Sequence, residues 1–190
     1  MKILFLSPHI HLIEYLMSYG DEVTQTIQPL QESMLGGQDF IVSYGYRHII
    51  QKPILDRFED RAINLHISYL PWNRGADPNL WSFLENTPKG VSIHFLNEGI
   101  DMGDIIAQRY MKYDINDTLR TFYNKLSDCL EDLFKKIWPY IREGKAKRYK
   151  QGTFHNSKDK DKYKDLLTEG WDTPVKNVIG RGLHYENNNR

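Results

Sequence analysis

Short apolar runs separated by helix-like spacing constrain this chain more than any other feature. Lys2-Ile3-Leu4-Phe5-Leu6 and Asp39-Phe40-Ile41-Val42-Ser43-Tyr44 have the length and near-continuous apolarity of strands buried on both faces. Between them Leu12, Ile13, Leu16 and Met17 recur at helical spacing up to Gly20, a C-terminal cap. After the second run, Pro53 suits the first turn of a short helix through Phe58, and a third strand follows at 61–67. A β-α-β-α-β order of this kind predicts an α/β domain with a mostly parallel central sheet. Glu22-Val23-Thr24 reads as a further short strand, and residues 28–38 read as loop.

The third strand is the unusual one. Read with period two, Ile63, Leu65 and Ile67 share one face, and Asn64, His66 and Ser68 share the other. Burying an amide and an imidazole without partners costs several kcal/mol, so they are either paired or open onto a cleft. The run stops at Pro71, which puts the pair near the carboxyl end of the strand, where open α/β sheets place ligands. Hydrogen bonding to loop backbone would satisfy the same two residues equally well.

Downstream, Trp72-Asn73-Arg74-Gly75-Ala76-Asp77-Pro78 is rich in turn formers, and Asn79–Glu85 reads as helix. Gly90–Leu96 alternates Val91, Ile93 and Phe95 against Ser92 and His94, so His94 either packs in the core or lines a site. The loop from Asn97 to Gly103 carries Asp101, and a strand starts at Asp104. Leu119, Phe122, Leu126, Leu130, Leu133 and Ile137 form an amphipathic stripe, with Asp117 as its predicted cap and Pro139 as its predicted stop. Past Ile141 the chain turns polar and basic, which predicts an irregular tail anchored by Trp171 and Val175.

Charge and cysteine content exclude several classes. The 25 basic and 25 acidic residues balance, so no net field draws the protein to nucleic acid or membrane. Cys129 stands alone, leaving no internal disulfide and no cysteine metal cage. No apolar run approaches the roughly 20 residues of a membrane helix, and Met1–Ser7 is too short for a signal peptide's apolar core. The expectation is a cytoplasmic protein.

Asn64, His66 and Asp101 together offer an amide, an imidazole and a carboxylate, a set suited to acyl transfer or hydrolysis. The ordered pieces Asn64-Leu65-His66-Ile67-Ser68-Tyr69-Leu70-Pro71, Arg74-Gly75-Ala76-Asp77-Pro78 and Gly90-Val91-Ser92-Ile93-His94-Phe95, leading to Ile100-Asp101-Met102-Gly103-Asp104, resemble the folate-dependent formyltransferases. That family includes the glycinamide ribonucleotide, methionyl-tRNA and sugar N-formyltransferases. The resemblance implies a Rossmann-like three-layer domain over 1–142, with 143–190 as an irregular C-terminal tail packed on it. It implies Asn64, His66 and Asp101 as catalytic residues and N10-formyltetrahydrofolate as formyl donor, with no metal. The pterin would lie against Tyr46, Arg47, His48, Ile49 and Ile50 and near Gly99. Ser68, Trp72, Arg74, Gly75, Asp77, Pro78 and Asn79 would face the acceptor.

Within the family, Ser43-Tyr44-Gly45-Tyr46-Arg47, Trp72–Asn79 and the tail pieces Gly152-Thr153-Phe154-His155 and Ser157-Lys158-Asp159 look most like the sugar N-formyltransferases. Their acceptors are nucleotide-linked amino-deoxysugars for surface polysaccharide. The first turn, Ser7-Pro8-His9, lacks the glycine-rich phosphate loop of the glycinamide enzyme. The implied partner is therefore a nucleotide-linked amino sugar, without nucleic acid or membrane; a homodimer is left open. Other readings are transfer to another small amine or to methionyl-tRNA, hydrolysis of the formyl donor, and a non-catalytic folate- or nucleotide-binding module.

Overall fold

Each predicted strand is present in the computed structural model, which describes residues 1–152 and 160–182. In chain order the elements are β1 (Lys2–Leu6), α1 (Ile13–Met17), β2 (Glu22–Thr26), β3 (Phe40–Tyr44), α2 (Lys52–Arg57), β4 (Ala62–His66), α3 (Pro78–Leu84), β5 (Gly90–Phe95), β6 (Ile105–Tyr110) and α4 (Leu119–Arg142). The six strands lie in the order β2-β1-β3-β4-β5-β6. The first four in that order pair in parallel, as expected from their helical crossovers. At the other end the direction changes. Leu96 N–H donates to the Ala62 carbonyl at 2.9 Å, and the Asn64 and His94 side chains meet, so β5 runs against β4. Phe95 N–H donates to Asp104 at 2.9 Å and Met111 N–H to Lys89 at 2.8 Å, which closes β5 and β6 into a hairpin.

Contacts group the chain into two units. The first comprises Met1–His66, Ile93–Ala107 and Leu133–Gln151. One face of its strands packs Leu4, Leu6 and Ile41 with Ile54 and Phe58 from the α2 region. From the α4 end, Trp138 stands edge-on to Phe40 with ring centres 5.4 Å apart, and its ring centre lies 5.2 Å from that of Phe134. Full burial of one such side chain contributes about 1.5–3 kcal/mol.

Pro139 does not stop α4, which continues to Arg142. A proline inside a helix forfeits the bond to the carbonyl four residues back, here Lys135. Tyr15 supplies a replacement: its hydroxyl donates to the Lys135 carbonyl at 2.6 Å. Burial, with help from Tyr19, pushes the Tyr15 phenol above its ordinary range.

The second unit comprises Ile67–Ser92, Gln108–Asp132 and Gly152–Arg190. All seven residues of α3 are buried. Tyr163 stacks edge-on against Trp81 at 5.4 Å, and Gly180 N–H donates to the Phe83 carbonyl at 2.9 Å. The tail is thus anchored by Tyr163, Thr173, Val175 and Val178, each at most 4% exposed. Trp171, predicted as an anchor, is instead 38% exposed, on a surface turn where the neighbouring Asp172 pairs with Arg120.

The α4 cap also differs from expectation. Thr118 and Thr121 exchange backbone N–H and hydroxyl bonds at 2.9 and 3.1 Å, a reciprocal capping box. Asp117 accepts instead from Asp114 N–H, Thr121 and Lys125, which hold its carboxyl below the usual range despite its burial. The tail pieces at 153–155 and 157–159 lie outside the described residues.

Candidate active site

Alternation along β4 buries Ile63 and Leu65 on one face and leaves Asn64 and His66 on the other. Because β5 runs antiparallel, His94 arrives directly opposite Asn64. The third contributor comes from the hairpin tip between β5 and β6. Its turn is held by Gly99 N–H on Asn97 Oδ1 at 3.1 Å and Met102 N–H on the Gly99 carbonyl at 3.3 Å. A Cβ at Gly103 would sit 1.7 Å from the Phe95 carbonyl oxygen, so that position admits glycine alone. Asp101 has φ +50°, a left-handed backbone that aspartate tolerates better than most residues.

These three elements bring one carboxylate against three nitrogen-bearing side chains. Asp101 Oδ1 accepts from Asn64 Nδ2 at 3.1 Å and lies 3.3 Å from His94 Nε2. Asp101 Oδ2 is 3.6 Å from His66 Nε2, within ion-pair range and too long for a hydrogen bond. The His66 and Asp101 side chains are 9% and 10% exposed. Attraction between charges there is stronger than in bulk water. His94 Nδ1 faces the Phe95 carbonyl at 2.8 Å; a carbonyl only accepts, so this nitrogen carries the proton. In the neutral ring Nε2 then accepts from the Asn64 amide at 3.3 Å.

Asn64, His66 and Asp101 are therefore brought together as their spacing suggested, and His94 joins them. Period two had placed His94 on a site-facing or core-facing side. The missing signal was the direction of β5 relative to β4, which decides what stands opposite.

Of the residues expected near the pterin, Tyr46 is fixed by its hydroxyl, which donates to the Gln28 carbonyl at 2.7 Å and accepts from Leu30 N–H at 3.0 Å. Its burial raises the phenol pKa, partly offset by the Leu30 bond. His48 stands edge-on to Tyr46 at 5.3 Å, Arg47 is exposed, and Ile50 packs on the apolar cluster that includes Leu6. Ile49 is 71% exposed, and the turn containing Gly99 and Asp101 exposes Ile100 at 61% and Met102 at 37%. Lys52, just after the first of these loops, pairs with Glu98 at the start of the second at 2.5 Å. Exposed apolar side chains on two tethered loops suit a flat ring system.

The residues expected to face the acceptor lie in the second unit. Ser68 donates to the Trp72 carbonyl, and its own carbonyl accepts from the Ser92 hydroxyl at 2.6 Å. Asn79 donates to the Leu119 carbonyl at 2.8 Å. Arg74 is 2% exposed, while Trp72, Gly75 and Asp77 are half-buried. Gly75 and Asp77 take φ of +92° and +52°, and Pro78 opens α3. Ser68 and Asn79 thus shape the loop from within. Among the described residues, no group of three His, Cys, Asp or Glu is placed to hold a metal ion, and no helix is long and apolar enough to cross a membrane.

Comparison with known proteins bears on the family and the fold. The crystal structure of the formyltransferase PseJ from Anoxybacillus kamchatkensis, in complex with UDP-4,6-dideoxy-4-formamido-L-AltNAc and tetrahydrofolate, is 54% identical with a TM-score of 0.91, covering 96% of this chain and 100% of that one. A 4-N formyltransferase from Francisella tularensis shares the fold at 20% identity and TM-score 0.76, over 94% of this chain and 86% of its own. A methionyl-tRNA formyltransferase from Finegoldia magna is 40% identical over 100 residues, 52% of this chain and 32% of the relative. The chain spans about a third of the length of the first such curated relatives. Residues 19–136 match the model of the formyl transferase family, and the chain belongs to that family.

Proposed function

We propose that this protein transfers a formyl group from N10-formyltetrahydrofolate to the C4 amine of a UDP-linked 4-amino-4,6-dideoxyhexose. The observation that carries this reading is the match along the full length of PseJ, whose bound sugar carries a 4-formamido group. Removing the formyl from that product gives the acceptor amine. The exposed Ile49, Ile100 and Met102 fit the apolar face of the folate ring.

In this reading a neutral amine attacks the formyl carbon, and negative charge develops on the formyl oxygen. His66, when protonated, donates to that oxygen together with the Asn64 amide. Losing one such donor typically costs on the order of 10²–10³ in rate. For Asn64 to serve, its N–H must turn from Asp101 Oδ1 toward the substrate, and His94 is positioned to keep its second N–H in place. Asp101 then takes the amine proton, directly or through water, as the new carbon–nitrogen bond forms, and the proton passes on to the folate N10 as its bond to the formyl carbon breaks; such proton transfer contributes roughly 10²–10⁴.

The test measures formyl transfer to UDP-4-amino-4,6-dideoxy-AltNAc, to initiator methionyl-tRNA and to glycinamide ribonucleotide at equal concentration, with a donor-only control. The UDP sugar should be the best acceptor by at least about a hundredfold. Preferred transfer to either other acceptor, or formate release that ignores the sugar, would overturn the assignment.

A further inference from the structure

We infer that Gln151 is a positioning residue for formyl transfer, holding the Asp101 turn from outside through its side-chain amide. The inference rests on the reading of Asp101 as the group that takes the amine proton.

Gln151 Nε2 donates to the Asp101 carbonyl at 2.8 Å and to the Gly103 carbonyl at 2.6 Å. Both N–H groups of one amide thus bracket the residue that carries the carboxylate. The residues just before it share this docking. Tyr149 and Ile105 exchange both backbone hydrogen bonds, at 2.8 and 2.9 Å, as an antiparallel bridge. Lys150 Nζ and Arg148 Nε reach Asp104 Oδ2 at 3.1 and 3.3 Å, and the Arg148 guanidinium lies 4.3 Å from the centre of the Phe95 ring. The segment following α4 therefore forms a short splint along the turn.

The splint has a physical task. A non-glycine residue at positive φ stores backbone strain and persists where its surroundings impose it. Regular strand pairing stops on either side, at Phe95 and Asp104, so residues 101–103 have no ladder to hold them. Gln151 ties down two of the three carbonyls in that interval. Losing the amide would let the backbone at 101 relax and carry the carboxylate away from Asn64. Displacing a reacting group by about 1 Å can cost on the order of 10² in rate.

The experiment uses the full chain with Gln151→Met, nearly the same shape without N–H donors, and Gln151→Lys, which keeps a donor at similar reach. Backbone amide exchange over residues 99–104 should quicken by about tenfold or more in Q151M, with the rest of the chain unchanged. Its kcat should fall by roughly ten- to a hundredfold, with acceptor KM within about threefold of wild type. Q151K should recover most of both losses. Unchanged exchange in Q151M, or faster exchange with kcat within about twofold of wild type, would overturn the inference. If Q151M fails to fold, Gln151→Ser is read by the same criteria. Should the wild type formylate no sugar, the functional reading fails by itself, while the exchange measurement still decides whether Gln151 holds the turn.

Discussion

Two buried polar networks in this chain use the same kinds of side chain to opposite ends. In the second unit the Thr87 hydroxyl donates to Asn73 Oδ1 at 2.5 Å, and Asn73 Nδ2 donates to Glu85 at 3.1 Å. The Lys89 ammonium donates to the Ser82 and Thr87 carbonyls at 2.9 Å each, beneath the rings of Phe83 and Tyr113. The ammonium's bonds end on backbone carbonyls, and residues from Asn73 to Lys89 are tied into one knot. In the first unit Asn64, His66, His94 and Asp101 instead face one another, beside a turn that exposes Ile100 and Met102. Polar burial alone therefore does not mark chemistry. What separates the two is that the cation of one closes on backbone carbonyls, while the groups of the other converge on a single carboxylate beside an exposed turn.

Mutation can break this distinction. Asp101→Asn and His66→Ala should each lower turnover by at least about a hundredfold while the melting temperature stays within a few degrees of wild type. Formyl-transfer rates and thermal melts on the same preparations check this. Near-normal rates would return the first network to the structural kind.

Lys89→Met should do the reverse. Two buried carbonyls lose their donor, at about 1–3 kcal/mol each, while kcat per folded molecule stays unchanged. Denaturant midpoints and initial rates separate these effects. The network also carries a pH signature. Burial pushes the Lys89 ammonium down to about 8 from its ordinary 10.5, against the pull of two carbonyls and two ring faces. The folded protein then holds this proton less tightly than the unfolded chain. The penalty is fully present below pH 8 and disappears as pH rises toward 10.5. The stability gap between wild type and Lys89→Met should therefore widen over that window, by up to about 3 kcal/mol. A gap that narrows would reverse the sign and the account.

The smallest effect belongs to Tyr15→Phe, which strips the Lys135 carbonyl of its substitute donor. A loss of about 1 kcal/mol in stability, with activity intact, would place this bond with the structural kind.

Much of the site was legible before any coordinates because period two in a strand is geometrically strict. Asn64 and His66 had to share a face, and Asp101 fell on a glycine-flanked loop after the next strand. His94 was left between two readings because alternation gives a face and not a neighbour. The α4 boundary failed for a related reason: the group that rescues Pro139 is Tyr15, which is distant in sequence, and local pattern cannot report it. Asp117 and Thr118 are both good caps by composition, and the reciprocal partner at Thr121 decides between them. Among the aromatic residues of a polar tail, nothing local distinguishes the buried Tyr163 from the exposed Trp171.

The crowding at Gly103 bears on how such a site can be redesigned. With the Phe95 carbonyl occupying the space of any Cβ, position 103 of the hairpin tip tolerates no side chain. A saturation library at this codon should return glycine alone among active clones, so the turn cannot be reshaped from this position. Laboratory evolution of this site would have to proceed through positions other than Gly103.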